Sequence, residues 1–216
     1  MKRVFITRNI KGNEPLVHLL KEKGIACIGE SFLRFELAHD FPKKIESSWI
    51  FFTSPTAVEM YQKAYPKCNK SWAALGKGTA MGKENLFRFI GSGKEVKNIA
   101  SQFNKLPNSY SVTLISPEKG NRSMKPFLSP TAEVAILYKT IEEPRHLPQA
   151  TAYVFTSPSN ARAASVLNNL NALHVSCLGS STKEQLFELG VTKVHEFNSW
   201  LWEEIIEEIE VWLSNL

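Results

Sequence analysis

The chain has 216 residues, of which 43% are hydrophobic and 22% are charged. This composition is typical of a globular protein and excludes extensive disorder. Its 26 Lys and Arg residues exceed its 21 Asp and Glu residues, and the net charge of +5 indicates an anionic partner. No apolar run approaches the roughly 18 residues that span a membrane. The first apolar stretch resembles a buried strand and not a signal peptide, so we expect a cytoplasmic protein with no membrane partner.

Isolated cysteines and scattered histidines argue against a metal centre. Cys27, Cys68 and Cys177 show neither a disulfide framework nor the spacing of zinc ligands. Basic residues are spread along the chain without a dense run, and the C-terminal segment is acidic, so we expect no nucleic-acid partner. No long exposed apolar helix face requires a second chain, and we expect a monomer.

Ten short apolar runs alternate with helix-like segments along the chain. The predicted strands, in order, are residues 4–7, 25–28, 49–53, 72–75, 88–90, 112–116, 134–138, 152–156, 175–178 and 193–197. Each run is too short for a helix and is bounded by turn residues. Strand–helix alternation predicts parallel sheets, and continuous apolarity in the strands predicts helices on both faces of each sheet.

The chain also repeats itself. The tetrapeptide Phe-Thr-Ser-Pro at 52–55 recurs at 155–158, an offset of 103 residues. The pair Leu75-Gly76 recurs as Leu178-Gly179 with the same offset, and so does Thr79 as Thr182. Three matches in one register indicate an internal duplication. Residues 31–46 and 139–150 fall at equivalent places in the repeat and are predicted to be linkers.

The two Ser-Pro junctions are predicted to start helices. Ser54 and Ser157 each follow a strand and are typical N-cap residues, with proline at the first helical position. A helix start at the carboxyl edge of a parallel sheet presents free N–H groups and suits a carboxylate or phosphate. The alternative is that these serines only cap their helices.

A second pair of junctions carries threonine after a glycine turn. We expect Thr79 and Thr182 each to cap a helix, either for stability alone or to bind an anion. The glycines at 76, 78 and 82 resemble a dinucleotide fingerprint. That spacing is absent from the second copy, and no acidic residue ends the next strand, which argues against a nucleotide enzyme.

A basic glycine turn is the third junction. Lys119, Gly120 and Arg122 are expected to begin a helix after the strand at 112–116, and Arg8 is their rough counterpart after the first strand. A guanidinium could pair with a ligand carboxylate, or it could simply be solvated. The chain has no paired carboxylates in a loop, nucleophile elbow or Walker loop, so an enzyme here would rely on hydrogen bonds, dipoles and substrate shape.

In this order and spacing, the motifs resemble those of the uroporphyrinogen-III synthases of tetrapyrrole and heme biosynthesis. The matching segments cover nearly the whole chain and are residues 6–8, 50–58, 74–80, 119–122, 137–140, 155–159 and 178–182. Two positions depart from the family pattern. Asn160 stands where a glycine is common, and Ser180-Ser181 replaces more typical residues before Thr182.

The resemblance implies two flavodoxin- or Rossmann-like α/β lobes with parallel sheets, joined by a two-stranded linker. It also implies discontinuous domains, because the first two strands would return to the C-terminal half. One lobe would comprise residues 1–33 and 149–216, and the other residues 37–140. The linkers would be those at 31–46 and 139–150.

The resemblance further implies a lyase that cyclises hydroxymethylbilane, a linear tetrapyrrole with eight carboxylates, without a cofactor. Ring D would be inverted and water lost. By position in the family motifs, Tyr138 would donate a proton to the departing hydroxyl. The carboxylates would be bound by Thr79, Ser157, Ser159 and Thr182, with Arg8, Ser54 and Arg122 as further candidates. The alternative is a two-lobed, non-catalytic module that binds an anionic ligand.

Overall fold

The computed structural model describes residues 2–10, 14–93, 95–120, 122–199 and 202–216. The strands are β1 (Lys2–Ile6), β2 (Ile25–Gly29), β3 (Leu33–Leu37), β4 (Trp49–Phe52), β5 (Ser71–Ala74), β6 (Phe89–Ile90), β7 (Val112–Pro117), β8 (Glu133–Glu142), β9 (Ala152–Phe155), β10 (Val175–Leu178) and β11 (Val194–Phe197). The helices are α1 (Pro15–Glu22), α2 (Pro55–Ala64), α3 (Lys77–Ala80), α4 (Val96–Phe103), α5 (Pro158–Ser165), α6 (Ser180–Glu188) and α7 (Trp202–Ser214). Short 3-10 turns cover Glu84–Leu86, Lys125–Phe127 and Leu170–Ala172.

The chain divides into two compact units. The first combines Met1–Arg34 with Ile141–Leu216, and the second is Phe35–Thr140. None of the helices in the described ranges combines the length and the apolarity needed to cross a bilayer.

The first unit is built on a five-stranded sheet with the order β11-β10-β9-β1-β2, and its described strand pairs are parallel. Successive residues of a strand face opposite sides, so Val4 and Ile6 pack with Leu20 of α1 and Ile205 of α7. Phe5 lies in a separate apolar cluster with alanines and Leu186 from α5 and α6. Both faces of this sheet are therefore covered, which accounts for its uninterrupted apolar strands.

The second unit follows the same plan, with the sheet order β3-β8-β7-β4-β5-β6. Phe52 of β4 packs with Tyr61 of α2. Phe51, on the opposite face, packs edge-on against Phe103 of α4, with ring centroids 5.1 Å apart. The α/β fold class predicted from the sequence, with two parallel sheets, is confirmed.

β3 lies inside the first predicted linker, residues 31–46, and the sequence does not predict it as a strand. Its residues alternate between half-buried and exposed, so it lacks the apolar run that marked the other strands. β3 pairs with β8, and the boundaries between the two units fall next to Arg34 in β3 and Thr140 in β8.

The sheet orders show how the duplication is used. In the first unit β9, β10 and β11 lie beside β1 and β2, whereas in the second unit β4, β5 and β6 lie beside β7 and β8. Each sheet thus combines strands from both sequence copies. The repeat in the sequence is therefore not the unit in space.

Candidate functional site

The serines of the two Ser-Pro junctions cap helices, as predicted. Ser54 Oγ accepts a hydrogen bond from the backbone N–H of Ala57 at 3.1 Å, where α2 begins. Ser157 Oγ accepts one from the N–H of Asn160 at 3.3 Å, where α5 begins. Both serines follow the central strand of their sheet, β4 or β9, and both are partly exposed. Each unit therefore presents a capped helix start at the carboxyl edge of its sheet, where ligands bind in open α/β folds.

Tyr138 lies beside the first of these junctions. It is on β8 opposite Pro117, the last residue of β7, and its side chain is 4% exposed. Its ring packs edge-on against Phe35, with centroids 5.9 Å apart, and its hydroxyl lies 3.4 Å from Ser54 Oγ. Burial raises the pKa of the Tyr138 phenol, and the hydrogen bond with Ser54 lowers it by a smaller amount. The phenol therefore carries its proton at neutral pH.

The two threonines of the second junction do not cap their helices. Gly76 and Gly179 occupy the N-cap positions, and Thr79 and Thr182 are the third residues of α3 and α6. The expectation that these threonines are caps is wrong, because a glycine occupies the N-cap position of each helix. By the third helical position the side chain has turned inward, and Thr79 is 8% and Thr182 1% exposed.

The exposed residues at these helix starts were not among the predicted site residues. Ser180 and Ser181 are the first two residues of α6, and Lys77 and Gly78 those of α3; all four are at least partly exposed. The signal that could have identified them was helix register. A glycine N-cap places the next two residues at the free N–H groups.

The basic glycine turn does not start an α-helix, contrary to expectation. Gly120 and Arg122 lie in irregular structure, Asn121 is outside the described residues, and only the 3-10 turn Lys125–Phe127 follows. Pro126 explains this, because it has no N–H and would interrupt a longer helix. The exposed Arg122 donates from Nη2 to the carbonyl of Glu118 at 3.3 Å.

Arg8 is half-buried and forms an ion pair with Glu14, with 2.6 Å between Nη2 and Oε2. A ligand carboxylate at Arg8 would therefore share the guanidinium with Glu14. A guanidinium has five N–H donors, so it can serve two carboxylates.

Ser159, the second residue of α5, is held by its own helix. Its Oγ accepts from Arg162 Nη2 at 2.9 Å, and Arg162 also donates to Glu142 from Nε at 3.0 Å. Because the Ser159 hydroxyl accepts this hydrogen bond, its own proton remains available for donation to a ligand.

Thr7 and Thr156, which are not among the predicted site residues, connect β1 to β9 just before α5. Thr7 Oγ1 accepts from the N–H of Thr156 at 3.0 Å, and Thr156 Oγ1 donates to the Thr7 carbonyl at 2.8 Å. Thr7 is fully buried. This reciprocal pair fixes the backbone that carries Ser157.

A family model described as uroporphyrinogen-III synthase HemD matches residues 14–199. The match covers most of the chain and includes both serine helix caps and Tyr138, whereas Arg8 precedes it. The chain belongs to the uroporphyrinogen-III synthase family.

Two solved structures of uroporphyrinogen III synthases share this fold. The enzyme from Helicobacter pylori 26695 is 15% identical, with 97% of this chain and 98% of that chain covered and a TM-score of 0.66. A selenomethionine-labelled mutant synthase from Thermus thermophilus is 12% identical, with both chains covered completely and a TM-score of 0.55. No curated protein sequence matches the chain.

Membership of the uroporphyrinogen-III synthase family confirms the family predicted from the sequence motifs. It favours a cyclising lyase over the non-catalytic ligand-binding module. Within the described ranges no three His, Cys, Asp or Glu side chains form a group that could hold a metal ion. The groups that the junctions offer to a ligand are hydroxyls, guanidinium groups and backbone N–H groups.

Proposed function

We propose that this protein is a uroporphyrinogen-III synthase that converts hydroxymethylbilane to the cyclic tetrapyrrole with ring D inverted. The observation that carries the proposal is the family match over residues 14–199. The substrate has eight carboxylates, which agrees with a protein of net charge +5. No observation favours a second function.

We propose that the reaction begins with loss of the terminal hydroxyl of ring A as water. The C–O bond breaks as a proton reaches the hydroxyl oxygen, and the ring nitrogen's electron pair stabilises the electrophilic carbon that remains. Ring D then attacks through its substituted carbon and forms a spiro intermediate. Fragmentation and reclosure release a proton and leave ring D inverted.

Tyr138 is the proposed donor of the first proton. A tyrosine phenol is protonated at neutral pH, and burial raises the pKa of Tyr138 further. Its hydroxyl lies at the edge of the sheet beside the cap of α2, since it is 3.4 Å from Ser54 Oγ. Proton donation to a leaving hydroxyl needs such a group within hydrogen-bonding reach.

The proposed carboxylate contacts are divided between the two units. Ser54 and Arg122 belong to the second unit, and Arg8, Ser157 and Ser159 to the first. These side chains are exposed or half-buried and can donate directly to a carboxylate. Thr79 and Thr182 are buried, and we propose that they support the adjacent helix starts, whose N–H groups bind the anion.

We further propose that the enzyme acts in the cytoplasm as a monomer, with no cofactor and no nucleic-acid partner. We also propose that residues 1–33 with 149–216 and residues 37–140 are its two lobes, linked by 31–46 and 139–150. Light scattering measures the molar mass of the purified protein with and without hydroxymethylbilane, and so tests whether it is a monomer.

The decisive experiment supplies hydroxymethylbilane to the purified protein and identifies the ring isomer formed. We expect the isomer with ring D inverted. Formation of only the uninverted isomer, which arises spontaneously, would show that the protein binds without catalysing. A mock preparation from cells that lack this protein, purified and assayed in the same way, separates catalysis by this chain from that of a contaminating enzyme.

A further inference from the structure

Asn160 is a buried polar side chain in the first turn of α5. It is 4% exposed, and it connects the helix start to a distant segment of the first unit. Its Oδ1 accepts from the backbone N–H of Phe32 at 2.9 Å, and its Nδ2 donates to Ser157 Oγ at 3.1 Å. The asparagine therefore bridges the cap of α5 and the chain immediately before β3.

The orientation of the Asn160 amide is determined by its partners. The backbone N–H of Phe32 can only donate, so the amide oxygen must face it. The amide nitrogen consequently faces Ser157. Because Phe32 is 1% exposed, an amide turned the other way would leave a buried N–H without an acceptor.

This arrangement restricts the Ser157 hydroxyl. Ser157 Oγ accepts from the Asn160 backbone N–H at 3.3 Å and from Asn160 Nδ2 at 3.1 Å. A serine hydroxyl has two lone pairs and one proton. With both lone pairs engaged, its remaining capacity is to donate, and a carboxylate is an acceptor. No acceptor for this proton is found among the described residues.

In the first copy of the repeat, the serine cap of α2 has a different second polar neighbour. Ala57 stands at the position equivalent to Asn160, 103 residues earlier, and has no side-chain donor. There the second polar neighbour of the cap is the Tyr138 hydroxyl, 3.4 Å from Ser54 Oγ. The cap of α2 therefore neighbours the proposed proton donor, whereas the cap of α5 neighbours an amide that cannot supply an acid proton.

We propose that Asn160 is a positioning residue that holds the Ser157 hydroxyl as a hydrogen-bond donor to a substrate carboxylate. The proposal rests on the proposed function, since it assigns the ligand of Ser157 as one carboxylate of the tetrapyrrole. Asn160 acts through Ser157 and does not itself contact the substrate. Its effect is therefore on substrate affinity and not on the chemical step.

The test uses Asn160→Asp, which keeps an acceptor for the Phe32 N–H and removes the donor to Ser157. The Ser157 hydroxyl would then donate a hydrogen bond to the new carboxylate. We expect the KM for hydroxymethylbilane to rise about tenfold and kcat to change less than about twofold, because a charge-assisted hydrogen bond is lost. The melting temperature of each variant shows that it is folded.

The added charge of aspartate could also raise KM by repulsion, so the same change is made in a Ser157→Ala background. We expect Asn160→Asp to change KM less than about twofold there, because the hydroxyl that it misdirects is absent. An equal rise in both backgrounds would overturn the proposal. If Asn160→Asp does not fold, Asn160→Ala in the same two backgrounds gives the same comparison without added charge.

The outcomes separate this inference from the proposed function. An inactive wild-type protein would contradict both. An active wild-type protein with an unchanged KM in Ser157→Ala would overturn the role of Asn160 and leave the synthase activity intact. A KM raised by Asn160→Asp alone and by Ser157→Ala alone, with no further rise in the double variant, supports the inference. An unchanged KM in Asn160→Asp alone would overturn it.

Discussion

The hydroxyl of Tyr138 lies 3.4 Å from Oγ of Ser54, the residue that caps α2. The two residues are 84 positions apart in the chain and are brought together by the pairing of β4, β7 and β8 in one sheet. Ser54 caps α2, and Tyr138 is a buried phenol that keeps its proton. Their proximity places a protonated phenol beside the start of α2.

Tyr138→Phe removes the proposed proton donor and keeps the ring that packs against Phe35. We expect kcat to fall about 100-fold, the scale of general acid catalysis, with little change in the melting temperature. Steady-state kinetics with hydroxymethylbilane measure this.

The matched control is Tyr61→Phe, which removes a hydroxyl that pairs with Cys68 Sγ at 3.2 Å on the same unit. It should keep wild-type turnover. Equal turnover in Tyr138→Phe and the wild type would exclude a catalytic role for the phenol.

Ser54→Ala removes the side-chain cap of α2 and leaves the Ala57 N–H without this acceptor. We expect the free energy of unfolding to fall by about 1 kcal/mol, the usual cost of losing a cap. Denaturant titration measures the change.

Ser181→Ala provides the comparison, because Ser181 is an exposed residue inside the first turn of α6 and not a cap. It should alter the free energy of unfolding by less than about 0.5 kcal/mol. Equal losses in the two variants would mean that the Ser54 cap contributes no specific stability.

Gly91→Ala should strongly destabilise the second unit. A Cβ at Gly91 would lie 2.4 Å from the carbonyl oxygen of Leu75 and 2.5 Å from Cγ2 of Ile99. Because the oxygen belongs to the backbone, it cannot move aside easily, and we expect a loss of about 3 kcal/mol. Thermal and denaturant unfolding measure this loss.

Gly78→Ala is the matched glycine variant, since a Cβ there meets nothing within 4 Å. We expect it to leave stability unchanged or to raise it slightly, because alanine favours the helix. A Gly91→Ala protein as stable as Gly78→Ala would contradict the close approach of the Leu75 carbonyl.

Cys177 should make the protein sensitive to alkali. Burial raises the pKa of its thiol from 9.0 to about 12. Above pH 9 the unfolded thiol loses its proton while the folded thiol retains it, so rising pH favours unfolding. We expect a loss of roughly 2 kcal/mol between about pH 9 and pH 11 from this group.

Cys177→Ala lacks the titrating thiol and should show a shallower decline of stability over the same range. Each protein is normalised to its own free energy of unfolding at neutral pH, which removes the constant cost of the substitution. Parallel curves for the variant and the wild type would contradict burial of the thiol as the cause.

The sequence by itself determined the features that depend on neighbouring residues. Short apolar runs marked ten of the strands, and Ser-Pro after a strand marked the caps at Ser54 and Ser157. These signals are local, because burial on both faces requires a continuous run and a cap bonds to the next turn. They failed where local chemistry was ambiguous, at β3 and at the glycine N-caps that precede Thr79 and Thr182.

Only the tertiary structure decided which distant groups meet. The contact of Tyr138 with Ser54 spans 84 positions, and that of Asn160 with Phe32 spans 128. Both follow from strand order, in which β1 and β2 join β9–β11 while β7 and β8 join β4–β6. Strands from either copy of the repeat have similar apolar patterns, so periodicity does not specify their partners; packing of the complete sheets does.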